Sequence, residues 1–353
     1  MQSAVAVGPV VGVLTDAVTR VLRIAVFLSI GVFLANLAVS FGLVEKIAAV
    51  SRYLTGPANL PDEVGTAILT TTASPTAGYG MLADFRASGV LDDRATLVAV
   101  TINTFFGFAQ HIVTFYAPIL IPILGAEVGV LYVTTRGLVA LAITLTGIAA
   151  GAVLLDGDNV DRGAVGAIAG DGESVASDAD DRATDGGGTT DAPATTEARV
   201  REAAGETVAK VRDILARLAG IYVVVALLVA YSEELLALLG ESGATVTGAA
   251  DALTGLLGLP GAAVPVVAAF ALDTTSGAVV IAPLVENGTF TPRTAVATML
   301  VGGIVSFAVS TFKRSIPFQY GIWGRDFGSK VIAVNTGLKI GWIALALVLL
   351  LGL

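Results

Sequence analysis

The sequence predicts an all-α polytopic membrane protein made of two internally duplicated repeats, each with an interrupted, re-entrant helix pair. Three observations predict this fold: an apolar composition, a self-similarity at an offset of 199 residues, and polar interruptions at matching positions of two apolar segments. Of the 353 residues, 55% are hydrophobic and 14% are charged, whereas soluble domains contain about 25% charged residues. We therefore expect a multi-pass protein of the cell membrane, and a soluble enzyme or nucleic-acid-binding module is excluded.

The acidic residues are concentrated in one segment. Residues 156–206 hold 13 of the 29 acidic residues and 4 of the 20 basic ones, which accounts for the net charge of −9. Such a segment, rich in Asp, Gly, Thr and Ala, cannot bury a hydrophobic core. We predict a first membrane repeat at 1–155, a disordered acidic linker at 156–210 and a second membrane repeat at 211–353. The acidic linker and the excess of Arg over Lys are typical of a halophilic, archaeal-type source.

The internal repeat aligns residues 54–129 with residues 253–328 without a gap. Glycines and prolines, the residues that fix turns and helix ends, recur among the matching positions in the same order. They include Pro61 with Pro260, Gly78 with Gly277, Gly89 with Gly288, Pro118 with Pro317, Gly125 with Gly324 and Gly129 with Gly328. This order favours a true duplication over the alternative, two unrelated apolar bundles of similar composition.

The elements of each repeat follow one order. An apolar helix long enough to span the bilayer comes first, near 23–43 and 214–236, and a short amphipathic piece follows it. The next helix starts after Pro61 or Pro260 and is interrupted twelve residues later, after roughly 18 Å, about halfway into a bilayer. A helix from Arg94 or Arg293 is broken near the late proline, and closing helices occupy about 126–155 and 326–353.

The interruptions read Ser74-Pro75-Thr76-Ala77-Gly78 and Asp273-Thr274-Thr275-Ser276-Gly277. Polar, non-helical backbone at membrane depth persists only where protein or a water-filled cavity satisfies it. Paired interrupted segments in the two halves of a transporter point to its substrate site. We therefore predict a substrate site formed by Ser74, Thr76, Gly78, Asp273, Thr275, Ser276 and Gly277. Helix capping is the simpler explanation of Ser74 and Asp273.

Other polar residues in apolar segments extend the predicted site. Asn103 and Gln110 share one helical face and are candidates for substrate contact, although hydrogen bonding between helices also explains them. Asp273 is a candidate for coupling to sodium or protons, with Lys339 as its buried counter-charge, because ionisable groups at membrane depth are usually paired. The lone histidine, His111, is interpreted as a packing residue, and no metal site is predicted.

The orientation of the two repeats depends on the interrupted segments. If each turns back as a hairpin, each half crosses the membrane three times and the repeats are inverted. If each crosses the membrane, the repeats are parallel. The inverted arrangement is favoured.

Two stretches resemble a known membrane family. "LTTTASPTAGYGMLADFRASGVLDDRATLVAV" resembles an interrupted hairpin with a short charged loop, and "STFKRSIPFQYG" resembles a polar, basic and aromatic turn after the next helix. With the order of elements used twice, they resemble the nucleoside-recognition, or Gate domain, family, which includes the core of ferrous-iron permeases and nucleoside transporters. The resemblance covers about 15–155 and 214–353, and it implies a membrane transport fold with paired re-entrant hairpins.

These features predict a transporter that moves a small polar solute, such as a nucleoside or related metabolite, by alternating access at the two interrupted helices. One alternative is an inorganic-ion (divalent metal) permease of the same fold, although the absence of cysteine argues against iron. Another is a non-transporting membrane regulator or partner. The expected partners are the lipid bilayer, the solute and a coupling ion. No cofactor, nucleic acid or enzymatic activity is expected, since the sequence offers no nucleophile and base set.

Overall fold

A computed structural model describes residues 55–161, 257–272, 274–310 and 315–352, together with position 255 and scattered positions within 12–33 and 197–219. Regular structure in the continuous ranges is helical, which agrees with the predicted all-α class. The helices predicted near 23–43 and 214–236 lie largely outside the described residues, as does most of the predicted linker.

The first half contains six α-helices and one π-helical segment in its described range. They are α1 (Asp62–Ala73), α2 (Pro75–Ala87), α3 (Asp93–Ile102), α4 (Thr104–His111), the π-helical segment Ile112–Leu120, α5 (Ile121–Leu124) and α6 (Ala126–Leu154). Short 3-10 helices occupy Gly56–Ala58 and Gly157–Asn159. In the second half the described helices are α7 (Ala263–Leu272), α8 (Thr274–Glu286), α9 (Pro292–Ser310), α10 (Ile316–Trp323) and α11 (Arg325–Leu351).

Helix ends in the two halves lie 199 residues apart. Both ends of α2 and α8 follow this offset, and so do the first residues of α3 and α9 and of the closing helices α6 and α11. Each closing helix follows a glycine in the left-handed region, Gly125 with φ 80° and Gly324 with φ 73°. Residues with a side chain rarely adopt this conformation, which explains a glycine at both positions.

The helices α1 and α2 fold back on each other as a hairpin that crosses at Gly78. A β-carbon on Gly78 would lie 2.6 Å from the carbonyl oxygen of Ala67 and 2.5 Å from the backbone nitrogen of Thr71. The position 199 residues later behaves in the same way, since a β-carbon on Gly277 would overlap the ring of Phe270. Glycine at each crossing lets the two helices of the hairpin approach closely.

Within the described residues, three helical segments are long and apolar enough to span a membrane: Asp93–Leu124, Ala126–Leu154 and Arg325–Leu351. Their outward surfaces carry exposed apolar side chains, such as Val153, 82% exposed, and Leu349, 75% exposed. Such surfaces are unfavourable in water and favourable against lipid tails. Length, composition and surface together indicate a membrane protein.

The closing helices α6 and α11 pack against each other and run antiparallel. Lys330, near the start of α11, binds Asp93 with 2.7 Å between Nζ and Oδ2. Asp92, the residue before Asp93, donates its backbone N–H to the carbonyl of Asn159, which lies just past the end of α6. The carboxylate of Asp92 accepts a hydrogen bond from Asn159 Nδ2. In the middle of both helices, Trp342 Nε1 donates to Thr146 Oγ1 at 3.1 Å. The start of α11 therefore lies beside the end of α6.

The first residues of the predicted linker are packed against the first hairpin. Asn159 is buried, and Val160 forms an isolated β-bridge with Leu91. The backbone nitrogen of Asp161 donates to the carbonyl of Val90 at 3.0 Å. Residues 159–161 of the predicted linker therefore contact the first half.

We expect Gly78→Ala to destabilise the protein, because its β-carbon would meet backbone atoms of α1, which cannot rotate away. Overpacking of this kind costs about 1–3 kcal/mol. Gly80→Ala is the matched control: it lies in the same helix, and an added β-carbon there meets nothing within 4 Å. Thermal unfolding of both variants in detergent checks this prediction. Equal midpoints for the two variants would contradict the close crossing.

Candidate functional site

A polar cavity of about 340 Å³ lies between the closing helices. Residues from α1, α2, α4, α6, α9, α11 and the π-helical segment border it, together with Asn103. The polar lining residues are Thr71, Tyr79, Asn103, Thr104, Gln110, His111, Tyr116, Arg136, Asn335 and Lys339. The apolar part of the lining comes from residues of the closing helices and from two phenylalanines, Phe108 and Phe307. A cavity with a few convergent polar groups on an apolar background is typical of a small-molecule site.

One wall of the cavity is a helix break at Asn103, between α3 and α4. The hydroxyl of Thr144, fully buried in α6, donates to the carbonyl of Ile102 at 2.8 Å and accepts from the backbone nitrogen of Phe105 at 3.1 Å. One side chain therefore satisfies two backbone groups that the break leaves without helical partners. Asn103, 2% exposed, donates from Nδ2 to Thr71 Oγ1 at 3.2 Å. This bond joins the break to the first hairpin.

The π-helical segment follows His111 and brings a phenol to the cavity. It contains Pro118, which cannot donate an amide hydrogen bond to the helix, and a wider turn accommodates such a residue. Tyr116, in this segment, packs against Phe108 and Tyr132 with ring centroids 5.2 and 6.2 Å apart. Pro118 predicts a helix break, but the helix instead continues with a changed hydrogen-bond period.

Two cationic side chains line the cavity, Arg136 from α6 and Lys339 from α11. Arg136 Cζ lies 5.9 Å and Lys339 Nζ lies 5.0 Å from the ring centre of Phe307. The guanidinium also lies 5.9 Å from the ring centre of Tyr132. Aromatic faces attract cations, so these rings partly offset the cost of holding positive charge away from bulk water.

The two cations lie near the middle of their helices. Arg136 is ten residues into α6, or about 15 Å along its axis, and Lys339 is fourteen residues into α11, or about 21 Å. Both side chains approach the ring of Phe307, so the two charges come together at one part of the cavity.

Within the described residues, the cavity lining contains no Asp or Glu, and neither Arg136 nor Lys339 forms an ion pair. No group of three or more His, Cys, Asp or Glu residues comes together in that part of the chain. The lining is therefore net positive. Asn335 Oδ1 is buried beside the cations and makes no hydrogen bond to a described residue.

Lining residues from the two halves occur at positions 199 apart. Arg136 corresponds to Asn335, Phe108 to Phe307, and Ala140 to Lys339, and all six border the cavity. The contact between Asp93 and Lys330 has a counterpart at the opposite end of the bundle, where the corresponding positions 292 and 131 line one groove. Three pairs of positions at this spacing thus border the cavity, and two of the pairs carry different side chains.

The structure brings some of the predicted site residues together. Asn103, Gln110 and Lys339 line the cavity, and so does His111. Ser74 is exposed and accepts from the backbone nitrogen of Ala77 at 3.4 Å, as a helix cap does.

The remaining predicted residues are placed differently. Gly78 and Gly277 lie at the hairpin crossings, and Thr275 and Ser276 are half-buried in α8 without lining this cavity. Asp273 and the side chain of Thr76 lie outside what the structure describes. The binding roles proposed for these residues stay predictions.

Several lining residues were not predicted as site residues: Thr71, Tyr79, Thr104, Tyr116, Arg136, Phe307 and Asn335. Arg136 had a signal in the sequence, because it is the only charged residue between Glu127 and Asp156. Asn335 could have been found from the repeat, as the polar residue at the position that corresponds to Arg136. The others are ordinary helix residues until the fold places them at one cavity.

Comparison with known proteins gives relatives without an established activity. The chain is 24% identical to the uncharacterized protein MJ0880 of Methanocaldococcus jannaschii over 341 residues, which are 95% of this chain and 98% of that protein. It is 32% identical to the uncharacterized protein MJ0871 over 131 residues, 36% of this chain and 39% of that one. It is 29% identical to the uncharacterized protein MJ1556, also of that archaeon, over 140 residues, which are 38% of this chain and 44% of that one.

No family model matches the chain, and no solved structure matches it. The similarity to MJ0880 extends over nearly all of both chains, so the relationship concerns the whole architecture and not one motif.

We expect Thr144→Val to destabilise the helix break, because it leaves the Ile102 carbonyl and the Phe105 amide without partners. Buried unsatisfied groups cost about 1–3 kcal/mol each. Thr135→Val in the same helix is the control, since its hydroxyl bonds only to the carbonyl of Leu131, four residues earlier. The measurement is the thermal unfolding midpoint of both variants. A decrease for Thr144→Val no larger than that of the control would refute this role of Thr144.

Proposed function

We propose that the chain is a multi-pass transporter that moves a small polar solute of metabolite size, by alternating access around the cavity between α6 and α11. The observation that carries the proposal is the cavity itself: a polar space at mid-depth between two apolar helices of membrane-spanning length. Polar groups inside a membrane bundle are expensive and usually mark a solute or ion pathway.

The architecture we propose is a pair of inverted repeats with re-entrant hairpins. Two facts support it: helix ends recur at a spacing of 199 residues, and the closing helices of the two halves are antiparallel. Antiparallel equivalent helices require a pseudo-twofold axis perpendicular to them, and so parallel to the membrane plane. Transporters with such an axis bind substrate near the midplane, at the interface of the repeats. Residues of both halves border the cavity, which supports this proposal.

The charge of the lining disfavours the alternative of a divalent-metal permease. Arg136 and Lys339 would repel a divalent cation, and the described lining offers no carboxylate to compensate. Coupling to sodium or protons through Asp273 remains part of the proposal. Replacing Asp273 by Asn in a flux assay would show whether that residue carries it.

Cysteine labelling tests the proposal directly, because the natural chain contains no cysteine and each variant has a single thiol. Thr104→Cys places a thiol in the cavity wall. We expect a membrane-impermeant thiol reagent to label Thr104→Cys from either side of sealed vesicles, since alternating access opens the cavity to both. The reagent is added either inside or outside the vesicles, and labelling is measured as a shift in the mass of the protein.

Two loop variants serve as controls and report topology. Ser88 and Asn287 occupy equivalent exposed turns, 199 residues apart. Inverted repeats place Ser88→Cys and Asn287→Cys on opposite sides, so each is labelled from one side only. Labelling of both from the same side would disprove inversion. Labelling of Thr104→Cys from one side or neither would disprove alternating access and favour a non-transporting regulator.

A further inference from the structure

We propose that the solute bound in this cavity is a small organic oxyanion, a carboxylate or a phosphate ester, held by Arg136 and Lys339. This inference rests on the proposed function in one respect, that the cavity is the solute site, and it names the class of solute. Three observations support it: the uncompensated charge of the lining, the position of the two cations around one aromatic ring, and the buried polar groups beside them.

The first observation is the positive charge of the cavity lining. Arg136 and Lys339 are both half-buried, and both side chains approach the ring of Phe307. Positive charge inside a bundle is expensive unless an opposite charge is near. Within the described residues that opposite charge is missing from the lining. An anionic solute would supply it.

The geometry allows one ligand to reach both cations. Lys339 Nζ and Arg136 Cζ lie 5.0 and 5.9 Å from the centre of the Phe307 ring. The three residues belong to three different helices, α11, α6 and α9. The guanidinium is a planar donor that matches the two oxygens of a carboxylate or phosphate, and the ammonium is a compact point charge. Gly303, on α9, leaves room for the guanidinium, since a β-carbon there would lie 3.3 Å from Arg136 Nη1.

The other lining groups indicate that the solute also carries a hydrogen-bond donor. Asn335 Oδ1 is buried in the wall without a partner in the described part of the chain. A ligand hydroxyl or amino group would satisfy this oxygen, which otherwise loses the hydrogen bond that water would give it. Apolar residues, including Ile143 and Ile343, cover the rest of the wall, and a volume of about 340 Å³ admits a metabolite but not a lipid or a peptide.

A binding experiment on the full-length purified protein tests the inference without requiring flux. The probes are succinate and glycerol 3-phosphate, each paired with its uncharged counterpart, succinamide or glycerol, at constant chloride concentration. A ligand that binds only the folded state raises the thermal midpoint according to its occupancy. We expect at least one anion to raise the midpoint and its neutral counterpart to leave it unchanged. The two arms distinguish a carboxylate site from a phosphate site.

Variants then assign the binding to the two cations. Arg136→Gln and Lys339→Gln should each lower the affinity for the anion that raises the midpoint by about tenfold or more, as expected for loss of a hydrogen bond to a charged group. Lys330→Gln is the matched control. It removes the same charge from the same helix, but its partner is Asp93, outside the cavity lining. Anion affinity in this control should stay within about twofold of the unmodified protein.

Three results would overturn the inference: neither anion shifts the midpoint, the neutral counterparts act as strongly as the anions, or both cavity variants bind the anion as tightly as the control does. The proposed function can fail separately. If the anion binds through Arg136 and Lys339 but Thr104→Cys is not accessible from both sides, the anion site stands and transport does not. If neutral solutes move across vesicles and no anion binds, transport stands and the anion site does not.

Discussion

The cost of positive charge inside a membrane constrains the arrangement of the two closing helices. Each helix carries one cation near its middle, and neither cation could face lipid without a large penalty. Antiparallel packing turns both inward to one cavity, where Phe307 lies near both and Tyr132 near the guanidinium. The surrounding helices complete this cavity, and their outer faces stay apolar.

A second constraint acts on the backbone. No amide or carbonyl at membrane depth can be left without a partner, so each irregularity next to the cavity needs a specific residue. Thr144 satisfies the break at Asn103, the π-helical segment accommodates Pro118, and glycines at 78 and 277 allow the hairpins to cross closely. These irregularities in turn bring Thr71, Asn103 and Tyr116 to the cavity wall.

Much of the fold could be predicted from the sequence, because glycine and proline positions depend on local geometry. The starts of α2, α6 and α11 follow from Pro75, Gly125 and Gly324. The cavity could not be predicted in the same way, since it depends on which faces of distant helices meet. The repeat pattern directed attention to the interrupted hairpins, yet among the described side chains of the first hairpin only Thr71, Pro75 and Tyr79 line the cavity. Arg136 becomes significant only when antiparallel packing places it near Lys339.

Lys339 has no carboxylate partner among the described residues, and we infer that a solute supplies its counter-charge. The most direct test is the free energy of unfolding of Lys339→Met, purified without added ligand, against the unmodified protein. The account predicts equal or greater stability, because methionine keeps the straight side chain and removes the uncompensated charge. A loss of about 3–5 kcal/mol, as expected when a buried ion pair is broken, would contradict it. That result would show that the protein itself neutralises Lys339, with Asp273 the first residue to examine.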